Sequence, residues 1–157
     1  MKKRTLVLGF MALVTTLILA GCGGGAKVEG NYNTYGEEMF AIGDYDTLLD
    51  LSVKEDKATI TMNYYTVESD GFLGMDVNVV KDSEKYSGKV DSTKKTITFS
   101  IDGSDQSMKY KVDGDKLTLY EGDAELSFVS EKSDKYASNQ SDFENQADEL
   151  AADDFLE

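Results

Sequence analysis

The chain contains no histidine, no proline and no tryptophan, and it has a single cysteine, Cys22. Without an imidazole there is no His-based acid–base catalysis, no Ser-His-Asp triad and no His-ligated zinc or copper. One cysteine forms no intrachain disulfide and no dithiol redox pair. At 157 residues, average usage near 5% would supply about eight prolines, so the turns fall to Gly, Asp, Asn, Ser and Lys. Basic residues are also scarce. There are 16 against 30 acidic ones, a net charge of −14. Such a surface repels nucleic acid and anionic head groups, and neither is expected as a partner. It is attractive to cations and basic proteins, although net charge alone is equally a device for solubility.

Long apolar stretches occur once. Lys2, Lys3 and Arg4 precede an uncharged run from Thr5 to Ala20, and the run ends in Leu19-Ala20-Gly21-Cys22. A basic start, an apolar middle and a small-residue cleavage site make an export signal. The run is shorter than the ~20 residues that span a bilayer as a helix. An ordinary secretory signal with a chance cysteine is the alternative. Leu-Ala-Gly-Cys resembles the lipobox of bacterial lipoproteins, which implies cleavage before Cys22, acylation of its sulfur and tethering to the lipid bilayer. Cleavage removes three basic residues and no acidic one, so the remainder is still more acidic. Two acyl chains give stable anchoring where one is marginal. Residues 1–21 are thus read as signal peptide and 22–27 as lipidated cysteine and glycine linker. The lipobox resemblance implies the extracytoplasmic face of the cell membrane, and the triple glycine after Cys22 is closer to Gram-positive than Gram-negative lipoproteins, again by resemblance.

From Val28 to Val129 short runs of period-two alternation dominate. Ala58, Ile60, Met62 and Tyr64 share one face of a strand, with Thr59, Thr61 and Asn63 on the other. Ile97, Phe99 and Ile101 do the same, as do Met75, Val77 and Val79, and then Met108, Tyr110 and Val112. Leu117 and Leu119 follow, then Leu126 and Phe128. Alternation with Thr, Val, Ile and Tyr marks half-buried strands. The predicted connections include Lys54-Glu-Asp-Lys57, Ser69-Asp-Gly71, Asp82-Ser-Glu84, Asp91-Ser-Thr-Lys94, Asp102-Gly103 and Asp113-Gly114. Asp-Gly suits type I′ hairpin turns, whose central residues both need positive φ. No segment is long enough for a helical crossover. The expected fold is all-β: an antiparallel up-and-down meander of about eight strands closing into a barrel over residues 28–131, with a curled sandwich as the alternative. Thr34 to Tyr45 is the least strand-like part, read as a short helix or lid-like loop.

Residues 132–157 form an acidic tail. Ser141-Asp-Phe-Glu144 has capping-box spacing, and Phe143, Ala147, Leu150 and Ala151 follow at helical intervals, predicting a short amphipathic helix from about Asp142 to Ala152. Its stripe is expected to dock on the barrel, with a frayed tail or partner binding as alternatives.

Gly30-x-Tyr32, Tyr86-x-Gly88-Lys89-Val90 and the hairpin Tyr110 to Leu119 resemble the small lipocalin-like lipoproteins of bacteria. The usual first-strand tryptophan is absent, and the matching positions are structural, so no functional residue carries over. Carboxylates in turns, Asp44-Tyr-Asp46, Asp102-Gly-Ser-Asp105 and Asp113-Gly-Asp115, match no calcium-loop pattern and read as turn residues. No catalytic residue, metal ligand or cofactor is expected. The expected function is a non-enzymatic, lipid-anchored module. It would bind a small apolar ligand in the barrel, where Met62, Tyr64, Met75, Met108 and Tyr110 point inward, or a surface partner. Capture of cationic proteins, in the manner of acidic lysozyme-inhibiting lipoproteins, is the second expectation, and a carboxylate-based hydrolase the third.

Overall fold

A computed structural model describes residues 28–36, 46–69 and 77–153. Cys22, Met75 and most of the Thr34–Tyr45 stretch lie outside them, although Thr34 and Tyr35 close the first strand. Eight strands form a closed antiparallel barrel in sequence order: β1 (Gly30–Tyr35), β2 (Leu48–Lys54), β3 (Lys57–Ser69), β4 (Val77–Asp91), β5 (Thr96–Ile101), β6 (Ser104–Asp113), β7 (Lys116–Glu121) and β8 (Ala124–Ser130). One helix, α1 (Asp134–Asp153), follows. The meander expected from alternation is the observed fold, and closure pairs β1 with β8 so that the barrel wall itself has no free edge.

The interior holds the alternating side chains expected from β3 and β5 to β8, joined by Leu51 and Val53 of β2. Leu51, Val53, Ala58, Ile97, Phe99, Leu117, Leu119 and Phe128 are buried together, and Val28 joins them where the chain enters. Thr and Lys residues occupy the opposite parity. At the β5–β6 turn Asp102 and Gly103 both have positive φ (51° and 79°), the sign pattern of type I′. The second Asp-Gly differs. Asp113 still pairs with Lys116 in the ladder, so Gly114 (φ 58°) takes the first central position, as in type II′.

Two expectations are corrected. Asp82-Ser-Glu84 is not a turn, because β4 runs unbroken through it for 15 residues. Every residue from Val77 to Lys89 pairs with β3, and β3 is rich in Thr and Tyr, which favour sheet. Polar residues on both faces suggested a turn, but this part of β3–β4 stands beyond the barrel wall. Pairing of β2 with β3 ends at Leu48–Asn63, and that of β4 with β5 at Gly88–Phe99. The upper hairpin therefore projects as a two-stranded arm. With the parity of β4 fixed by Gly88 opposite Phe99, Val79 faces outward, not inward as expected.

The helix is the second correction. It begins at Asp134, well before Asp142. Ser133 caps it: the Lys135 N–H donates to Ser133 Oγ (3.3 Å) and the Tyr136 N–H to the Ser133 carbonyl (3.0 Å). Ser141 sits mid-helix. The barrel-facing side carries Asn139 (3% exposed), Phe143 and Gln146, so its first turns are polar and escape a hydrophobic reading. Asn139 Nδ2 donates to Asn33 Oδ1 (2.9 Å), and Asn33 Nδ2 to the Tyr136 carbonyl (3.0 Å). These bonds fix the helix across β1, whose seam with β8 is short, with Tyr32 opposite Ser130 and Asn33 opposite Val129. Higher up, Phe143 packs with Leu48 and Tyr65, backed by Val79, Ala147 and Leu150. The arm is therefore propped from outside by the helix.

Candidate functional site: an apolar cavity at the barrel mouth

β1, β3, β5 and β7 all run toward the end at which the arm projects, and the chain enters the barrel at the opposite end. The entry end is filled. Toward the arm, inward side chains stop meeting one another, and Ile60, Met62, Ile101, Met108 and Leu126 are only partly buried. Between them lies a cavity of about 80 Å³. β3 contributes Ile60 and Met62, β4 contributes Tyr86, and β5 contributes Phe99 and Ile101; Met108, Leu119 and Leu126 line the far side.

Local sequence explains the opening. Gly88 faces inward opposite Phe99, and a Cβ there would stand 2.8 Å from Phe99 Cδ1 and 2.8 Å from the Thr98 carbonyl oxygen. Glycine lets β4 and β5 touch at this level. Above it they no longer pair, which leaves a gap in the wall beside Tyr86. The cavity has little space. It is about half the ~150 Å³ of an apolar cavity that binds benzene.

The rim is polar and acidic. Tyr64 and Tyr86 both donate to Glu84, the first to Oε1 at 3.3 Å and the second to Oε2. The bond to Glu84, followed by burial and the charges of Glu84 and Asp102, raises the Tyr86 phenol above its ordinary pKa. Two residues along β4, Asp82 Oδ2 accepts from Thr66 Oγ1 (3.3 Å).

On the outer face the helix makes a second polar cluster. Tyr35 donates to Gln146 Oε1 (2.8 Å). Asp50 Oδ2 accepts from Asn63 Nδ2 (2.9 Å), while its buried Oδ1 has no hydrogen-bond partner among the described residues. Burial raises the Asp50 carboxyl above its ordinary pKa, against the opposing effects of the Asn63 bond and Lys81.

Of the inward residues expected from the sequence, Met62 and Met108 line the cavity, Tyr64 stands on its rim and Tyr110 is buried in the core beneath. Tyr86 and Glu84 were missed as site residues. Their signal was a same-face i, i+2 spacing on β4, hidden once Glu84 was assigned to a turn. Asp102 adds to the acidic rim. Among the described residues no three His, Cys, Asp or Glu side chains converge as a metal-binding group, and no helix is long and apolar enough to cross a membrane. Comparison of the chain with protein-family models, curated proteins and solved structures gives no match.

Proposed function

We propose that the protein is a lipocalin-like lipoprotein, anchored through acylated Cys22 on the extracytoplasmic face of a membrane, that binds a small ligand in the barrel mouth without turning it over. The observation that carries this reading is an apolar cavity at the end of the barrel away from the chain's entry. Five linker residues, 23–27, reach at most about 18 Å, so a tether at Cys22 holds the filled end near the bilayer and turns the mouth outward. The cavity's chemistry supports binding over catalysis. Its lining carries one polar group, the Tyr86 hydroxyl, and that is engaged by Glu84. Eight-stranded barrels have room for packed side chains or one small ligand, and this one is filled at one end and open at the other.

Two measurements test the reading. In cells, the wild-type protein incorporates radiolabelled palmitate and fractionates with membranes, and Cys22→Ala does neither; label retained by the variant refutes the anchor. In the purified domain, xenon or a short hydrocarbon shifts the Met62 and Met108 methyl resonances and leaves the Phe128 ring resonances unmoved. Unshifted methyls refute the cavity as a ligand site.

A further inference from the structure

We propose that the barrel mouth receives a cation carried on a short hydrocarbon stem: an ammonium or guanidinium group on three or four carbons. The proposal rests on the cavity being a ligand site, and it names what enters. Below the rim the lining is apolar and the space is about 80 Å³, enough for a narrow stem and too small for a ring system. At the rim the Tyr86 ring lines the cavity while its hydroxyl, with that of Tyr64, holds Glu84 in place. Asp82 and Glu84 share the barrel-facing side of β4, since residues two apart on a strand point the same way. Lys81 and Lys85 fall on the other side. Among the described residues, the ion pairs are Lys94–Asp91, Lys111–Asp113 and Lys135–Asp142, and none involves the rim.

The connections leaving this end (residues 36–47, 70–76, 102–103 and 122–123) hold eight acidic residues and neither lysine nor arginine. No basic residue occurs in 28–53 or 58–80 either. An anion is repelled from such a mouth, and a plain alkyl group leaves its charge unmatched. A cation on a stem satisfies both parts, with the charge against Glu84 and Asp82, the stem in the cavity, and the Tyr86 ring available to a cation.

Such a group can come from a free amine or from a basic side chain of a peptide. The test titrates the purified domain with n-butylammonium, 1-butanol and butyrate at low salt, following the Met62 and Met108 methyl signals. Butylammonium is expected to bind about fivefold tighter than butanol, the weight of one partly exposed charge pair. Butyrate is expected to bind more weakly than either. High salt and Glu84→Gln, which removes the charge and keeps an acceptor oxygen for one of the two tyrosines, should bring butylammonium down to the butanol value. Asp82→Asn should weaken it in the same direction. Equal binding of butanol and butylammonium overturns this proposal and leaves the cavity standing, whereas no binding of either overturns both. Nα-acetyl-lysine amide then separates the sources. Tighter binding than butylammonium supports a peptide-borne side chain, and weaker binding supports a free amine.

Discussion

Replacing Phe143 with alanine tests whether helix and barrel are one cooperative unit or two. The ring is fully buried. It stacks on Tyr65 with centroids 4.6 Å apart and planes at 23°, meets Tyr35 edge-on at 6.3 Å, and has Lys81 Nζ 5.0 Å from its centroid. Truncating a buried phenylalanine costs about 3–5 kcal/mol where the cavity cannot collapse. Here the cost has an escape. Phe143 belongs to a cluster outside the barrel wall, separate from the interior core, so the helix can leave while the barrel stays folded. The free helix is weak on its own account: it has no basic residue in its last turn to complement the dipole, and most helical stability in proteins comes from tertiary packing rather than from propensity. The loss felt by the whole domain is therefore capped at the docking free energy of α1. Native-state amide exchange reads this directly. In Phe143→Ala the amides of α1 should lose protection corresponding to the full 3–5 kcal/mol, or exchange near unfolded rates, while those of β5, β6 and β7 keep theirs. If the barrel amides fall by the same free energy as the helix, the separation into two units is refuted.

Other perturbations follow from the same geometry. Gly88→Ala forces a Cβ to within 2.8 Å of the Thr98 carbonyl oxygen, which backbone cannot easily yield, so denaturant unfolding should show a loss of about 1–3 kcal/mol; an unchanged midpoint contradicts the close approach. Glu55 holds φ 57° without being glycine, and Glu55→Gly should raise stability by about 0.5 kcal/mol, strain relief outweighing the entropy gained by the unfolded chain. Asp50 keeps its proton more tightly folded than unfolded because it is buried, so its contribution is full below the ordinary carboxylate pKa and is lost as pH rises through the raised one. Relative to wild type, Asp50→Asn should therefore be more favourable at pH 7 than at pH 4, and urea midpoints with the opposite order would reject this sign. Tyr35 follows the same logic at high pH. Burial, with Asp46, Asp142 and Glu149 adding, pushes its phenol up to about 12, so wild type loses stability between pH 10 and 12 and Tyr35→Phe loses less of it over that range.

Where water lies on one side of a strand and core on the other, alternation gave the answer. β5 runs over Thr96–Ile101 with Ile97 and Phe99 inward, as their alternation implies. The same rule failed wherever that two-sided contrast is missing. Tyr65 follows the inward Tyr64 and so points outward, yet it is 7% exposed because a helix from the far end of the chain covers it. Val79 is apolar for the same reason. Nothing within β3 or β4 announces that cover. The helix itself was half legible: Phe143, Ala147 and Leu150 showed its upper stripe, but below them the barrel-facing position is Asn139, whose side chain bonds Asn33 across β1, while Asn33 in turn reaches the Tyr136 backbone carbonyl. Polar residues that hold two elements together look, in one dimension, like polar residues that face water. The rim of the cavity has the same origin. Glu84 and Tyr86 lie on the inward side of β4, where alternation expects apolar groups, at a height where the wall has ended and inward means toward the mouth. A charged residue on the core-facing parity of a strand is thus either an error of register or the edge of an opening. Unbroken pairing of β4 with β3 through Glu84 decides for the opening, and the rim carboxylates follow from it.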